Sequence, residues 1–216
     1  MAITLRSSAE ARNAVATTHT VTTPAGAASG DVLYGIWFAT QSAAWTVPAG
    51  WTSLINVDNI TGSILVCRLV LSGSPDASYA ATTSANETSW GLLTAWTGAD
   101  TTTPEDVAAS HLLNSIGTYT TPSLTTATDN AVLLCFWAQG ANLTIVKDAA
   151  TTAIDDGASS PSYAAAYEAR PTAGATGTRT ATGMTNANVC ASVAIRPAAV
   201  AATPVPNAAM LMGIGI

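Results

Sequence analysis

The residue types of a hydrolytic triad occur close together once in this chain, as Asp106, Ser110 and His111. They are sequence neighbours on a polar stretch with no GxSxG elbow, and a triad is set by geometry rather than by proximity along the chain, so no catalysis is expected there. His19 and His111 are the only histidines. A zinc site would need a carboxylate and a cysteine to join them. Glu105 and Asp106 are adjacent carboxylates, but neighbours on an extended segment point to opposite sides and do not flank one glycosidic bond. Asp155-Asp156-Gly157 and Asp58-Asn59 resemble fragments of calcium loops without the spacing or the later glutamate of a complete one. Asn59, Asn86 and Asn142 head N-x-T triplets, which chance supplies in a threonine-rich chain, and glycosylation would require secretion. These residues imply no enzyme, metal or cofactor.

The aromatic residues suggest binding rather than catalysis. Trp45 and Trp51 flank a Pro-Ala-Gly turn, where they either offer a stacking face to a sugar or close the end of a sandwich over the turn. Trp90 and Trp96 are an even number of positions apart and share a strand face, expected to be the core. Cys67, Cys135 and Cys190 each sit inside an apolar run, as buried thiols acting as small hydrophobes do.

Composition narrows the partners. Charged residues make up 9% of the 216 positions, against roughly 25% in an ordinary soluble domain. A net charge of -6 and a pI near 4.5 argue against nucleic acid, which needs clustered lysine and arginine. The N-terminus carries no apolar stretch of signal-peptide length, so synthesis and retention in the cytoplasm are expected. The closing NAAMLMGIGI is apolar yet falls well short of the roughly twenty residues of a spanning helix, so no membrane is expected. Its Met210, Leu211, Met212, Ile214 and Ile216 are expected to pack on their own domain or a neighbouring subunit as an assembly tail.

The elements that must position these residues read as strands. Val32 to Ala39, Ser63 to Leu71, Thr88 to Trp96, Ala131 to Gln139 and Asn188 to Arg196 are apolar runs rich in β-branched and aromatic types, bounded by turn residues. Ala14 to Thr23 alternates as a first strand, with Val15, Thr17, His19 and Val21 on one face. Glu105 to Asn114 could compete as a helix but is read as strand and turn, because β-pattern resumes at Tyr119. Val32 to Ala39, Ser63 to Leu71 and Gly91 to Ala95 recur about 100 residues later as Ala131 to Ala138, Tyr163 to Pro171 and Ala191 to Ile195. No linker divides the copies. The expectation is one all-β, jelly-roll-like antiparallel sandwich over 14–198, with an N-terminal arm at 1–13, an apolar tail at 199–216, and both halves contributing to both sheets.

GDVLYGIW from Gly30, WTVPAGWTSL from Trp45, SWGLLTAWTGADTTTP from Ser89 and SVAIRP from Ser192 together resemble β-sandwich domains of phage and prophage structural proteins, such as tail fibres, minor tail proteins and capsid decorations. The resemblance covers about Ala14 to Ala198 and specifies a fold more than a task. It implies a non-enzymatic virion protein, a surface decoration, cement or spike, assembling as a symmetric homo-oligomer, with a trimer favoured. Its partners would be its own copies and virion proteins such as the major capsid protein. The alternative is a tail-associated module that recognises a host surface glycan through Trp45 and Trp51.

Overall fold

The apolar runs are strands, and their pairing exposes a duplication. The computed structural model describes residues 2–59, 62–114, 119–186 and 188–199. In chain order the strands are β1 (Thr4–Thr22), β2 (Val32–Ala39), β3 (Trp45–Thr46), β4 (Thr52–Val57), β5 (Ser63–Val70), β6 (Ser78–Thr97), β7 (Glu105–Asn114), β8 (Thr125–Thr126), β9 (Ala131–Gln139), β10 (Thr152–Gly157), β11 (Ser162–Arg170), β12 (Gly174–Ala175) and β13 (Asn188–Ile195). One sheet runs β1-β6-β2-β5-β4, with β3 also on β6, and a second runs β10-β11-β9-β13-β7. Read from the other edge, the second is β7-β13-β9-β11-β10. That is the first order repeated by the second half of the chain. The registers repeat too: Val32 pairs with Val70 and Trp96 in the first sheet, Val132 with Ala169 and Ile195 in the second.

The all-β antiparallel sandwich and its internal repeat are as expected, but the halves are shared out differently. Each half builds one whole sheet, rather than both halves contributing to both. A repeat that closes its own hydrogen-bond ladder needs the other copy only to cover one face. The two sheets meet face to face through Val32, Tyr34, Ile36, Phe38 and Trp90 of one and Val132, Leu134, Phe136 and Tyr163 of the other, all buried. Where β2 and β9 end, Thr40 and Gly140, equivalent in the repeat, lie close together: a Cβ on residue 140 would stand 3.8 Å from Thr40.

Alternate positions of β2 and β9 face away from this interface and are buried as well, which explains why these strands read as continuous apolar runs. Each sheet carries its own outer cover. β1 and β6 are long, and register shifts between Asn13 and Thr18 bend the pair. Such bulges bend a ladder and sharpen its twist. The remainder, His19 to Thr22 against Ser78 to Ala81, then packs Val21, Tyr79 and Ala81 over Leu33, Trp37 and Leu93. Trp37 lies flat across the sheet: a Cβ at Gly35 or Gly91 would come within 2.5 Å of the Trp37 ring or of Val21. Its indole N–H donates to the His19 carbonyl at 3.0 Å and ties the flap down. Trp137 does the same to the Tyr119 carbonyl at 3.2 Å, over Leu133, Cys135 and Cys190.

Three expectations change. Residues 1–13 are not an arm: from Thr4 to Asn13 they form the first half of β1, paired with Ser89 to Thr97. Of the face assigned to Val15, Thr17, His19 and Val21, only His19 and Val21 are buried, because the bulges break the alternation. Tyr119 to Thr128 supplies only the two-residue β8, paired with β12. Glu105 to Asn114 is a strand, Trp90 and Trp96 share the inner core, and all three cysteines are buried. Met210, Leu211, Met212, Ile214 and Ile216 lie outside the described residues.

Candidate functional site

A group of chemically active side chains lies on the seam where edge strand β1 of one sheet meets edge strand β10 of the other. Glu10 and Arg12 come from β1, Asp155 and Asp156 from β10, and Tyr163 from β11. Glu10, Arg12, Asp156 and Tyr163 line, with Gly157, Ala158, Ser159 and Pro161, a cavity of about 170 Å³; Asp155 interacts with the Tyr163 side chain. The Tyr163 ring stacks on Trp90 at 3.6 Å between centroids. It lies so close over Gly157 that a Cβ there would sit 2.3 Å from the ring.

Burial pushes the Tyr163 phenol well above its usual range, and the neighbouring carboxylates of Asp155 and Glu10 push it the same way. The phenol therefore stays protonated, a donor facing two acceptors. Burial also raises Asp155, and the charge on Asp156 adds to it. Arg12 donates to the Ser160 carbonyl, and Lys147 pairs with Asp156. The cavity thus presents donors and acceptors of both signs. The carboxylates face a phenol, so hydrogen-bonding groups of several kinds converge on one cavity.

The repeat supplies a comparison inside the same molecule. By register, Glu10, Arg12, Asp155, Gly157 and Tyr163 correspond to His111, Leu113, Ile55, Val57 and Ile64 at the β7/β4 seam. There Ile55 and Ile64 are core residues. The charged pair at that seam, Arg68 and Glu105 at 2.8 Å, belongs to another level, where Tyr34 also donates to Glu105.

The other sequence candidates are dispersed. Trp45 and Trp51 are 5% and 8% exposed, with no open ring face on which a sugar could stack. Trp45 packs edge-on to His19 and donates to Ser63 Oγ at 3.1 Å, and Trp51 packs edge-on to Trp37 and Tyr79. They close the outer layer over the turn, so the glycan platform assigned to them is corrected. Asp106 is buried and accepts from Ala127 N, Thr128 N and Thr128 Oγ1, with Arg196 at 3.3 Å. Burial alone would raise its carboxyl; these bonds and the guanidinium outweigh that and hold it low. Ser110 and His111 point to opposite sides of β7, so no triad forms. Asp155, Asp156 and Gly157 are part of β10 rather than of a loop. Among the described residues no group of three or more His, Cys, Asp or Glu side chains is placed to hold a metal.

A serine–histidine contact does exist, between residues 70 positions apart in the sequence. Ser89 Oγ lies 2.6 Å from His19 Nδ1, and Thr83 Oγ1 lies 2.8 Å from Nε2. Thr83 spends its hydroxyl hydrogen on the Ala85 carbonyl. Nε2 must then be the donor to Thr83 and Nδ1 the acceptor from Ser89, which leaves a neutral, satisfied imidazole. Burial lowers its pKa accordingly. His19 and Ser89 are wholly buried, so the contact ties the flap to the sheet instead of activating a nucleophile. The only sequence signal was a histidine on the apolar side of an alternating strand. Comparison with family models, with curated proteins and with solved structures finds no match to this chain in any of the three.

Proposed function

We propose that this chain is a non-enzymatic structural component of a bacteriophage particle, a surface decoration, cement or spike protein that assembles as a symmetric oligomer. The observation that supports this reading best is the use made of its few charges. All seven lysine and arginine side chains are engaged within the chain: Arg6 with Asp31, Arg68 with Glu105, Lys147 with Asp156, Arg170 and Arg179 with Glu168, Arg196 with Asp106, and Arg12 with the Ser160 carbonyl. No cation is left over to gather the phosphates of a nucleic acid or to clamp an anionic substrate. Each sheet is covered on both faces, so the ionisable side chains are spent on holding layers together. What remains outside is a threonine- and alanine-rich surface suited to broad, weakly charged contacts. No helix among the described residues is long and apolar enough to cross a membrane.

Quantitative mass spectrometry of the purified particle encoded beside this gene tests the reading. Hundreds of copies per particle support decoration, and three or six support a tail position. Absence from the particle, with the protein present in the lysate, refutes it.

A further inference from the structure

We infer that the β1/β10 seam cavity binds a neutral sugar residue, held by the carboxylates of Glu10 and Asp156 and the guanidinium of Arg12. This does not rest on the virion reading, and it moves carbohydrate recognition away from the buried Trp45 and Trp51.

The first argument is how the site is built. At the β7/β4 seam the repeat places Val57 against Ile64, an ordinary apolar pair. At the β1/β10 seam the valine position is Gly157 and the isoleucine position is Tyr163. The two changes fit one another, because the Tyr163 ring occupies the space a Cβ on residue 157 would need. Trp90 stands where the other half has Val189 and gives that ring a surface to stack on. Around this scaffold Glu10, Arg12 and Asp155 replace His111, Leu113 and Ile55. At the β7/β4 seam the described residues at these positions are largely apolar; at the β1/β10 seam the same positions frame a cavity with polar walls.

The second argument is charge and size. Arg12 stands beside the carboxylates and disfavours a bare cation, and no three metal-ligating side chains converge. Glu10 disfavours an anion, and Asp156 is already matched by Lys147, so the walls are near charge balance. A neutral ligand rich in hydroxyls is what remains, since each hydroxyl both donates and accepts. A cavity of about 170 Å³ is smaller than the roughly 300 Å³ at which drug-sized ligands are enclosed, and matches the liquid volume of about six waters. That is room for one sugar ring.

Saturation-transfer NMR on the full chain with free glucose, galactose, mannose, N-acetylglucosamine and rhamnose at millimolar concentration tests this. Transfer to at least one of them is expected. It should weaken about tenfold or more in Glu10→Gln and in Asp156→Asn, since a hydrogen bond to a charged group is worth about that much in affinity. His111→Gln, at the equivalent place on the other seam, should leave it unchanged, and thermal melts confirm that each variant is folded. No transfer to any of the five sugars overturns the inference. So does transfer undiminished in both seam variants, or Glu10-dependent binding of calcium or inorganic phosphate in place of a sugar.

Discussion

Replacing Trp37 by phenylalanine isolates the contact that holds the outer layer onto the first sheet. The ring is wholly buried, lies over Gly35 and Gly91, packs edge-on to Trp51 at 6.0 Å and donates to the His19 carbonyl at 3.0 Å. Phenylalanine keeps a ring but loses the N–H and leaves a gap beside the glycines. The loss is a net hydrogen bond of about 0.5–1.5 kcal/mol. Incomplete filling adds about 1–2 kcal/mol, a part of the 3–5 kcal/mol of a full aromatic-to-alanine truncation. The sum, about 1.5–3.5 kcal/mol, lowers the melting temperature by about 3–14 °C at this chain length. Calorimetry reads the total. Amide exchange reads the mechanism: Thr20, Val21, Ala80 and Ala81 should open well before β2 and β5. Trp137→Phe should give a similar loss with the opening confined to residues 119–124 and 176–182. A Trp37→Phe protein that melts within about 1 °C of wild type, or whose flap amides exchange no faster, would show that the indole does not clamp the flap.

Other outcomes follow from paired positions in the two halves. Ser63 accepts from Trp45, whereas Ile145 stands at the tryptophan position in the second half and buried Ser162 Oγ has no partner. Ser63→Ala should therefore cost about 1–3 kcal/mol by orphaning the indole N–H, while Ser162→Ala should be neutral or stabilising in the same urea titration. Acid should act in two stages. His19 is held below its free value, so the unfolded chain takes up a proton the folded one refuses, and stability declines as pH falls below about 6.5. Asp106 is held below its free value and its contribution is lost lower, as pH falls from about 4 through its folded pKa. Melts of His19→Gln and Asp106→Asn against pH should each flatten only its own arm; a single transition common to both variants would contradict the assignment. Burial raises the Cys67 thiol and pushes Cys135 up to about 12. Neither should react with a thiol reagent at pH 8 until denaturant is added, and prompt native labelling would count against this packing.

The strands and the duplication were legible because both leave a local trace. A run such as Ala131 to Ala138 is apolar at every position, and each copy carries a Trp beside a Phe, although the observed register, Trp37 on Trp137, is one residue off the alignment of Val32–Ala39 on Ala131–Ala138. The share of each half was not legible, since nothing in a strand's own residues says whether its neighbours in the ladder come from the same repeat. The flaps were hidden for a related reason: the bulges after Asn13 depend on register with β6, so the alternation of Ala14 to Thr23 seemed to continue where it breaks. Trp45 and Trp51 were placed correctly beside their turn, but their burial depends on His19, Tyr79 and Trp37, which come from three other strands. The seam went unseen because Glu10 and Asp155 are far apart in sequence and meet only once two sheets are stacked.

Duplication also separates what the fold requires from what it permits. Both halves keep the tryptophan that donates to a carbonyl under the flap, the turn that bonds Trp51 N to Pro48 O or Thr151 N to Asp148 O, and a positive φ before the first buried strand, at Gly30 or Asn130. Such features serve closure of the layers, and each half needs them because each sheet must cover its own outer face. The seams are under no such demand. Leu113, Ile55, Val57 and Ile64 at the equivalent positions of β7/β4 show that apolar side chains are accepted at this level of the seam, so Arg12, Asp155, Gly157 and Tyr163 at β1/β10 are not required by the sandwich. Burying a raised carboxyl such as Asp155 beside a phenol works against stability at neutral pH. A seam that gives up packing and electrostatic stability where its twin does not is the natural place to look for what this molecule binds.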